Sequence, residues 1–213
     1  MSQALFMCLK KENPDSQITV MAPNWTRPLL DRMPEVDSSM DMEIGHGELR
    51  LAARRKLGKS LRSSNFTQAI VLPQSFKSAL VPFHADIPLR TGWRGEWRNP
   101  LLNDCRLPRD DQFPLMIQRF AALAYPERNN PPAEIPNPRL VTDSESTAAA
   151  ISKFCLVRDS KVLAICPGAE FGEAKQWPSE YYAEISNSML ARGWQVWLFG
   201  SANDELVAEA ILA

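Results

Sequence analysis

The sequence contains few of the residues that build metal sites or disulfide frameworks. Its 213 residues include four cysteines and two histidines. The cysteines Cys8, Cys105, Cys155 and Cys166 are scattered and form no Cys-x-x-Cys pair. A Cys/His zinc site is therefore not expected. Reduced thiols in a cytoplasmic protein are the interpretation that fits this cysteine usage best.

Long apolar runs and an excess of charge of one sign are also missing. No run reaches 18 apolar residues, so no segment is predicted to span a membrane. The first residues do not show the basic and apolar regions of a secretory signal. The net charge is −1 at pH 7, which gives no general case for nucleic-acid binding. Attraction to anions must come from local basic clusters, whose ordinary interpretation is a solvated helix face or loop. They are Arg54, Arg55, Lys56, Lys59 and Arg62, and then Arg90, Arg94 and Arg98.

Short apolar runs alternate with amphipathic segments along the whole chain. Strands are predicted at 17–21, 36–42, 68–73, 89–92, 162–165 and 194–199. Helices are predicted at 2–11, 25–33, 49–62, 74–83, 113–125, 145–154, 179–192 and 203–212. Such alternation is typical of a parallel α/β architecture. The helix at 49–62 is predicted to bury leucines and alanines and to expose a cationic side that includes Arg54 and Arg55.

A proline-rich stretch divides the chain. Residues 129–138 carry four prolines, which is too stiff and polar for a helix or a strand and indicates a linker or an edge loop. We therefore expect an α/β domain at 1–140, a linker with a crossover helix at 141–160, and the start of a second α/β domain at 161–213. Asp143 is one of three candidate caps for the crossover helix.

The segment 161–178 has the strongest ligand-binding pattern. A buried strand ends at Gly168 and Ala169, Gly172 and Lys175 follow, and a proline then opens a helix. A glycine-bearing loop with a lysine between strand and helix can place N–H groups and a cation around a phosphate. An ordinary connection with a solvated lysine is the alternative, because the pattern is neither a Walker loop nor Gly-x-Gly-x-x-Gly.

Ligands of open parallel sheets bind beyond the carboxyl ends of the strands. Three loops qualify, at 73–78, 166–177 and 200–205, and the last two should be neighbours because they follow consecutive strands. Asp204 or Glu205 could accept hydrogen bonds from ribose hydroxyls, or could simply be acids in the first turn of a helix. Ser75 and Lys77 are candidates for substrate contact, with capping of a helix as the alternative role of Ser75.

Two further segments have polar side chains without a clear helical or strand pattern. The segment 90–98 mixes arginine with tryptophan, as in a binding loop, although stacking of arginine on tryptophan could also serve to stiffen it. His46, between two glycines, has either a catalytic or substrate role or is a plain surface histidine. No arrangement of Ser, His and Asp or of Cys and His for nucleophilic catalysis is visible.

Several segments resemble a known family over nearly the whole chain and in the same order, except around 126–160. They are 21–25 (MAPNW), 32–36 (RMPEV), 45–47 (GHG), 54–58 (RRKLG), 72–79 (LPQSFKSA), 90–96 (RTGWRGE), 166–178 (CPGAEFGEAKQWP) and 197–201 (WLFGS). In these segments the chain resembles the ADP-heptose:lipopolysaccharide heptosyltransferases of type II, in glycosyltransferase family 9.

The resemblance implies a GT-B fold with two Rossmann-like parallel-sheet domains. It implies transfer of heptose from ADP-heptose to the lipopolysaccharide inner core, heptosyl-Kdo2-lipid A, with inversion and without a metal or other cofactor. Lys175 matches the phosphate-binding lysine, with the Gly168 and Ala169 amides beside it, and Asp204 or Glu205 the acidic site near the ribose. The N-terminal domain would hold the acceptor. Its candidate residues are His46, Arg54, Arg55, Ser75, Lys77, Arg90 and Arg94.

The resemblance also has departures. The family begins with a strand and a glycine-aspartate turn that carries the general base, and its later Asn-Asp-Ser-Gly loop completes the nucleotide pocket. Neither is found here, so we expect the first domain to lack its first strand and the second to be only partly present. The alternative function is therefore a non-catalytic nucleotide- or glycan-binding fragment.

The sequence also bears on two other enzyme classes, and the resemblance bears on the cellular location. An NAD-linked oxidoreductase is disfavoured because no Gly-x-Gly-x-x-Gly follows a strand, and a sugar-nucleotide epimerase stays open. The resemblance implies a cytoplasmic location, peripheral contact with the inner membrane and no nucleic-acid partner.

Overall fold

The structure, a computed structural model, describes residues 1–45, 47–107, 111–127, 134–169 and 173–212. It divides into two compact units, Met1–Thr142 and Asp143–Ala213. His46 and much of the proline-rich stretch lie outside the described residues, so the predictions made for them are not addressed by the structure. The two units are described separately below.

The first unit alternates helices with short parallel strands. In chain order it contains α1 (Ser2–Glu12), β1 (Thr19–Ala22), α2 (Arg27–Leu30), β2 (Ser38–Asp41), α3 (Leu51–Ser60), β3 (Gln68–Val71), α4 (Leu80–His84), β4 (Leu89–Trp93), β5 (Asp104–Arg106) and α5 (Met116–Ala122). Short 3₁₀ turns at Asn24–Thr26, Leu61–Ser64 and Phe76–Ala79 flank three of the helices. Every strand and helix predicted in this part of the chain is present, and β5 is an element that the sequence pattern did not predict.

All strand pairs in this unit are parallel, which confirms the predicted architecture. β1 pairs with β2, with Met21 opposite Met40. β3, β4 and β5 form a second sheet, in that order. Parallel strands place their carboxyl ends at one edge, so the loops that follow β3 and β4 emerge side by side.

The core of the first unit lies on both faces of its strands. Alternate residues of β1 face opposite sides, as the two-residue period of a strand requires: Val20 packs on one hydrophobic cluster and Met21 on another. β3 behaves alike, with Ile70 and Ala69 in the same two clusters. Such sandwiching between helices is how parallel sheets are stabilised. The buried members of the larger cluster are Leu5, Phe6, Leu30, Met33, Trp93, Ala122 and Leu123.

The predicted orientation of α3 is partly wrong. Arg54 was assigned to its exposed cationic side, but only 5% of this residue is exposed. Leu49, which was assigned to the buried side, is instead about half exposed. Arg55 does face solvent, as predicted. The helix therefore buries one arginine whose donors find partners, rather than a purely apolar stripe.

The second unit contains fewer elements. They are α6 (Ser144–Lys153), β6 (Val162–Ile165), α7 (Ser179–Ala191), β7 (Gln195–Leu198) and α8 (Glu205–Leu212), with 3₁₀ turns at Glu173–Lys175 and Ala202–Asp204. Asp143 caps α6, since its carboxylate accepts a 2.7 Å hydrogen bond from the Ser146 N–H. β6 and β7 are parallel, with Ile165 opposite Leu198. No helix in the described ranges of either unit is long and apolar enough to cross a membrane.

Candidate functional site

The loops that follow β6 and β7 are in contact, as predicted. The Phe199 N–H donates a 2.8 Å hydrogen bond to the Ile165 carbonyl where the two strands end. Just beyond, a Cβ placed on Gly168 would lie 2.1 Å from Oδ1 of Asp204. Only a glycine allows this approach of backbone to carboxylate. Two predicted site residues, Gly168 in one loop and Asp204 in the next, are therefore neighbours.

The Asp204 carboxylate is held by its own loop. Its Oδ2 accepts hydrogen bonds from the backbone N–H of Ser201 at 2.7 Å and from the Ser201 hydroxyl at 2.9 Å. These bonds favour the ionised form and lower the pKa of Asp204 below its ordinary value. The Ser201 hydroxyl in turn accepts from the Asn203 N–H. The alternative interpretation of Asp204, an acid that caps the turn before a helix, therefore describes its observed contacts, while Glu205 stays exposed.

Lys175 lies at the end of the 3₁₀ turn between β6 and α7 and is exposed to solvent. Within the described residues it forms no ion pair, and the N–H groups of Gly168 and Ala169 have no hydrogen-bond partner. A cation and unpaired N–H groups in one loop can bind an anion such as a phosphate. The loop ends at Trp177, whose ring lies 4.8 Å from that of Tyr182 in α7.

In the first unit, Arg54 connects two loops at the carboxyl ends of strands. Its guanidinium donates to the carbonyls of Leu49 at 2.8 Å, Glu48 at 3.0 Å and Lys77 at 3.3 Å. Burial lowers the pKa of Arg54, yet arginine stays protonated in proteins. The sequence placed Arg54 at the acceptor, but these donors are committed to backbone carbonyls. The side chain joins the loop after β2 to the loop after β3.

Arg98 connects the next pair of loops and is also not a surface cation. It is fully buried and donates to the carbonyls of Trp93 and Pro73 and to the Ser78 hydroxyl. Burial lowers the pKa of its guanidinium as well. The basic cluster predicted around 90–98 therefore has a buried member that fixes the loop after β4 against the loop after β3.

Arg90 and Arg94, predicted to lie in one loop, are separated. Arg90 is the second residue of β4, and its guanidinium donates to the carbonyls of Ile87 at 2.6 Å and Leu101 at 2.7 Å. It also lies 5.6 Å from the centre of the Phe83 ring. Arg94 follows the carboxyl end of the same strand and is exposed. Of the two, Arg94 is the one that shares an edge with the loop after β3.

The loop after β3 keeps the two predicted residues half-buried. Ser75 occupies the position before a 3₁₀ turn, but its hydroxyl does not cap that turn, so the capping alternative is wrong. Lys77 accepts the Arg54 bond through its carbonyl and forms no ion pair in the described part of the chain. Four predicted acceptor residues have side chains that form no hydrogen bond with the backbone of the described residues: Ser75, Lys77, Arg94 and the exposed Arg55.

The tryptophans of the segment 90–98 behave differently from each other. Trp93 is buried, and its indole N–H donates to the Arg119 carbonyl at 3.0 Å. Trp97 is 91% exposed. In the described ranges no guanidinium lies over either ring, so the predicted alternative of arginine stacked on tryptophan is not observed.

Sequence reasoning missed a shallow pocket at the carboxyl ends of β1 and β2. Its lining comprises Ala22, Pro23, Asn24, Thr26, Arg27, Leu30, Ser39, Met40 and Asp41. Trp25, in the middle of that run, is 82% exposed. A loop directly after an apolar strand was a sequence signal for this pocket, and that loop begins with Pro23, Asn24 and Trp25. Among the described residues, no three His, Cys, Asp or Glu side chains are arranged to hold a metal.

Comparison with solved structures identifies the fold. The structure superimposes with a TM-score of 0.89 on E. coli ADP-heptose lps heptosyltransferase II, at 45% identity, covering 99% of this chain and 63% of that one. A glycosyl transferase family 9 structure from Veillonella parvula matches with a TM-score of 0.81 at 16% identity and shows the same fold. The fold is therefore that of a GT-B glycosyltransferase.

The sequence comparisons narrow the class. The model of glycosyltransferase family 9 (heptosyltransferase) matches residues 54–213. The chain is 47% identical over 218 aligned positions to lipopolysaccharide heptosyltransferase 2 of Salmonella typhimurium, covering 100% of this chain and 63% of that relative. The chain belongs to glycosyltransferase family 9, the heptosyltransferases. It spans about 63% of the length of this relative.

Proposed function

We propose that this protein takes part in transferring L-glycero-D-manno-heptose from ADP-heptose to the inner core of lipopolysaccharide, with heptosyl-Kdo2-lipid A as the acceptor. The transfer inverts the anomeric centre and uses neither a metal nor another cofactor. The observation that carries this proposal is the 47% identity to a lipopolysaccharide heptosyltransferase 2 across the whole of this chain.

The segment 161–213 is proposed to bind the donor. The acceptor hydroxyl attacks C1 of the heptose and gives its proton to a general base of the kind the family uses. The bond from C1 to the phosphate oxygen breaks, and ADP leaves with increased negative charge. Lys175 is exposed and forms no ion pair with described residues, so it can offset that charge. The Gly168 and Ala169 amides add hydrogen bonds to the diphosphate. Glu205 binds the ribose, and Asp204 holds the loop in place.

The segment 1–140 is proposed to bind the acceptor. The Kdo sugars and the phosphates of lipid A are anionic, and Arg55, Lys77 and Arg94 supply cations whose side chains are not committed to the backbone. Ser75 and His46 are further contacts proposed from the sequence. Arg54 and Arg90 act instead by positioning the loops, because their donors are occupied by carbonyls.

The acceptor also defines the proposed cellular context. Lipid A is anchored in a bilayer, so a cytoplasmic protein with peripheral contact at the inner face of the inner membrane could reach it. No nucleic acid is among the proposed partners, in keeping with a net charge of −1.

A binding and transfer experiment tests the proposal. Calorimetric titration of the chain should give saturable binding of ADP-heptose without added metal. For transfer, the chain replaces the matching part of the E. coli enzyme, and mass spectrometry should detect one heptose added to heptosyl-Kdo2-lipid A. Absence of both ADP-heptose binding and transfer would contradict the proposal. Binding of both substrates without transfer would favour the non-catalytic binding function.

Two controls separate the remaining classes. Incubation with ADP-heptose in the absence of acceptor should leave the sugar unchanged, whereas an altered heptose would indicate an epimerase. Titration with NAD and NADP should show no binding, whereas a saturable isotherm would indicate an oxidoreductase.

A further inference from the structure

The residue Trp97 combines exposure with an unusual backbone conformation. Its side chain is 91% exposed. Its φ angle is +35°, in a region that bulky side chains rarely adopt. A large apolar side chain in solvent at such a position contributes nothing to the hydrophobic core. It is explained if the ring is presented to a ligand.

The loop that carries Trp97 is firmly attached to the loop after β3. A Cβ on Gly95 would lie 2.3 Å from the Gln74 carbonyl oxygen, so the two backbones are in direct contact. The Glu96 N–H donates to that same carbonyl at 3.2 Å, and the Glu96 carboxylate accepts from the Phe76 N–H at 3.3 Å. The buried Arg98 closes the loop from the other side. These contacts fix the residues on both sides of Trp97, and those before it are bonded to the loop that carries Ser75.

The size and polarity of the surface around Trp97 define the ligand. The exposed residues within three positions of it along the chain are the polar Arg94, Glu96 and Asn99 and the small Pro100, so the indole is the one large exposed apolar side chain of this segment. A stable protein partner would need about 800 Å² on each side. One ring instead fits one flat ligand unit. The C–H groups of a pyranose are attracted to the negative face of an indole, and its hydroxyls require polar neighbours of the kind present here.

We propose that Trp97 is a stacking platform for one pyranose ring of the acceptor glycan, and that Arg94 binds an anionic group on that glycan. This inference rests on the proposed function and adds a residue that determines acceptor binding. The loop geometry connects it to the acceptor side, because Trp97 is fixed against the same loop that carries Ser75 and Lys77.

The test follows the indole itself. The protein is labelled with 5-fluorotryptophan, the Trp97 signal is assigned with Trp97→Phe, and the deacylated inner-core oligosaccharide is titrated. We expect a saturable shift of the Trp97 fluorine signal. The dissociation constant should rise about tenfold in Trp97→Ala and less than threefold in Trp97→Phe, which keeps an aromatic face. Phe154→Ala, which removes an exposed aromatic ring from the second unit, away from the proposed acceptor residues, serves as the control and should change it less than twofold.

A second variant separates binding from folding. Trp97→Gly removes the indole and relieves the positive φ, so its melting temperature should equal or exceed that of the wild type while oligosaccharide binding weakens as in Trp97→Ala. A purely structural role would give the opposite result. Unchanged affinity in Trp97→Ala would overturn the inference and leave the proposed function standing. A Trp97 shift caused by ADP, or by anionic vesicles without glycan, would overturn it in favour of a nucleobase or a lipid surface. Failure of the wild type to bind the oligosaccharide would contradict the proposed acceptor itself.

Discussion

The two units of this protein differ in how much of their structure is held by a core. In the first unit, hydrophobic clusters cover both faces of the strands, and each of the two large clusters contains several buried side chains. In the second unit, the buried apolar side chains of its strands and helices are Ile165 and Ile211. Large side chains there are exposed instead. They are Phe154, Val157, Trp177, Tyr181, Ile185, Leu190, Phe199, Leu206 and Leu212.

The difference extends to polar groups. The first unit buries arginines whose donors are satisfied: Arg106 forms two hydrogen bonds with Asp104 and two more with the carbonyls of Ala122 and Tyr125. The second unit instead keeps a cation and loop amides without partners in the described residues, near Lys175. Saturated buried polar groups specify one structure, whereas unpaired exposed groups are available to a ligand. The buried arginines therefore belong to the scaffold of the first unit, whereas Lys175 in the second unit, like Arg55 and Arg94 in the first, is available to a ligand.

The largest expected effect concerns Arg106. Arg106→Met should lower the free energy of unfolding of the first unit by about 3–5 kcal/mol, because it leaves Asp104 and two carbonyls without their partner. Arg94→Met, which removes an exposed guanidinium nearby, should change it by less than about 0.5 kcal/mol. Urea unfolding, with hydrogen exchange of first-unit peptides as the probe, measures the unfolding free energy of both variants. Equal stability of the two variants would contradict the account of buried arginines.

Truncation of one leucine in each unit compares their cores. Leu123→Ala should cost the first unit about 2–5 kcal/mol, since this side chain is 1% exposed in the main cluster. Leu206→Ala, at a position 81% exposed in the second unit, should cost less than about 0.5 kcal/mol. Hydrogen exchange of each unit measures the two values. A large loss in Leu206→Ala would show that the second unit has a core that the exposed fractions do not reveal.

The affinity for ADP, unlike the stability, should depend on a side chain of the second unit. Lys175→Ala should weaken ADP binding about tenfold, the usual loss for one charge-assisted hydrogen bond. The control is Lys161→Ala. It removes a lysine at the opposite, amino end of β6, whose ammonium group lies 5.5 Å from the centre of the Trp194 ring. It should leave the ADP dissociation constant unchanged in calorimetry. Equal losses in both variants would point to general electrostatic attraction instead of a site at Lys175.

The smallest effect is a pH dependence in the first unit. The side-chain hydrogen bond from Lys10, with the Ile18 N–H, holds the pKa of Asp37 below its ordinary value of about 4. The carboxylate therefore stabilises the folded state above that ordinary value, and this contribution is lost as the pH falls through the folded-state pKa. Asp37→Asn should lower the free energy of unfolding at pH 7 by less than about 1 kcal/mol, because the pair is partly exposed. Urea unfolding at pH 7 measures this difference.

The acid end of the same titration provides the control. The difference between Asp37→Asn and the wild type should shrink as the pH falls below 4, because the wild-type carboxyl then becomes neutral as well. A constant difference down to pH 2 would show that the loss comes from packing and not from charge.

Much of the fold was predictable because its signals are local. Apolar strands, amphipathic helices and capping residues are recognised from nearby residues, and the predicted strands and helices are all present. β5 was missed because Asp104, Cys105 and Arg106 form no apolar run. Arg106 is the buried residue of that strand, and its guanidinium pairs with Asp104 in the same strand and donates to the distant carbonyls of Ala122 and Tyr125. Strand patterns do not contain that information.

The candidate site was predictable to a different degree in each unit. The neighbouring loops of Gly168 and Asp204 follow from strand order alone, and the prediction is confirmed. The hydrogen-bond partners of Arg54 and Arg90 could not be predicted, because a basic residue in a sequence does not reveal which carbonyls will accept its hydrogen bonds. Those carbonyls belong to residues brought close by the tertiary fold. Long-range partners, rather than local pattern, decide whether an arginine is a ligand or a scaffold.

The division of labour between the units can be tested directly by hydrogen–deuterium exchange with each ligand in turn. ADP should protect peptides covering 162–169 and 199–205 and leave the first unit unchanged. The inner-core oligosaccharide should instead protect peptides covering 73–78 and 94–98. Protection of 73–78 or 94–98 by ADP, or of the second unit alone by the oligosaccharide, would contradict the assignment of donor and acceptor to different units.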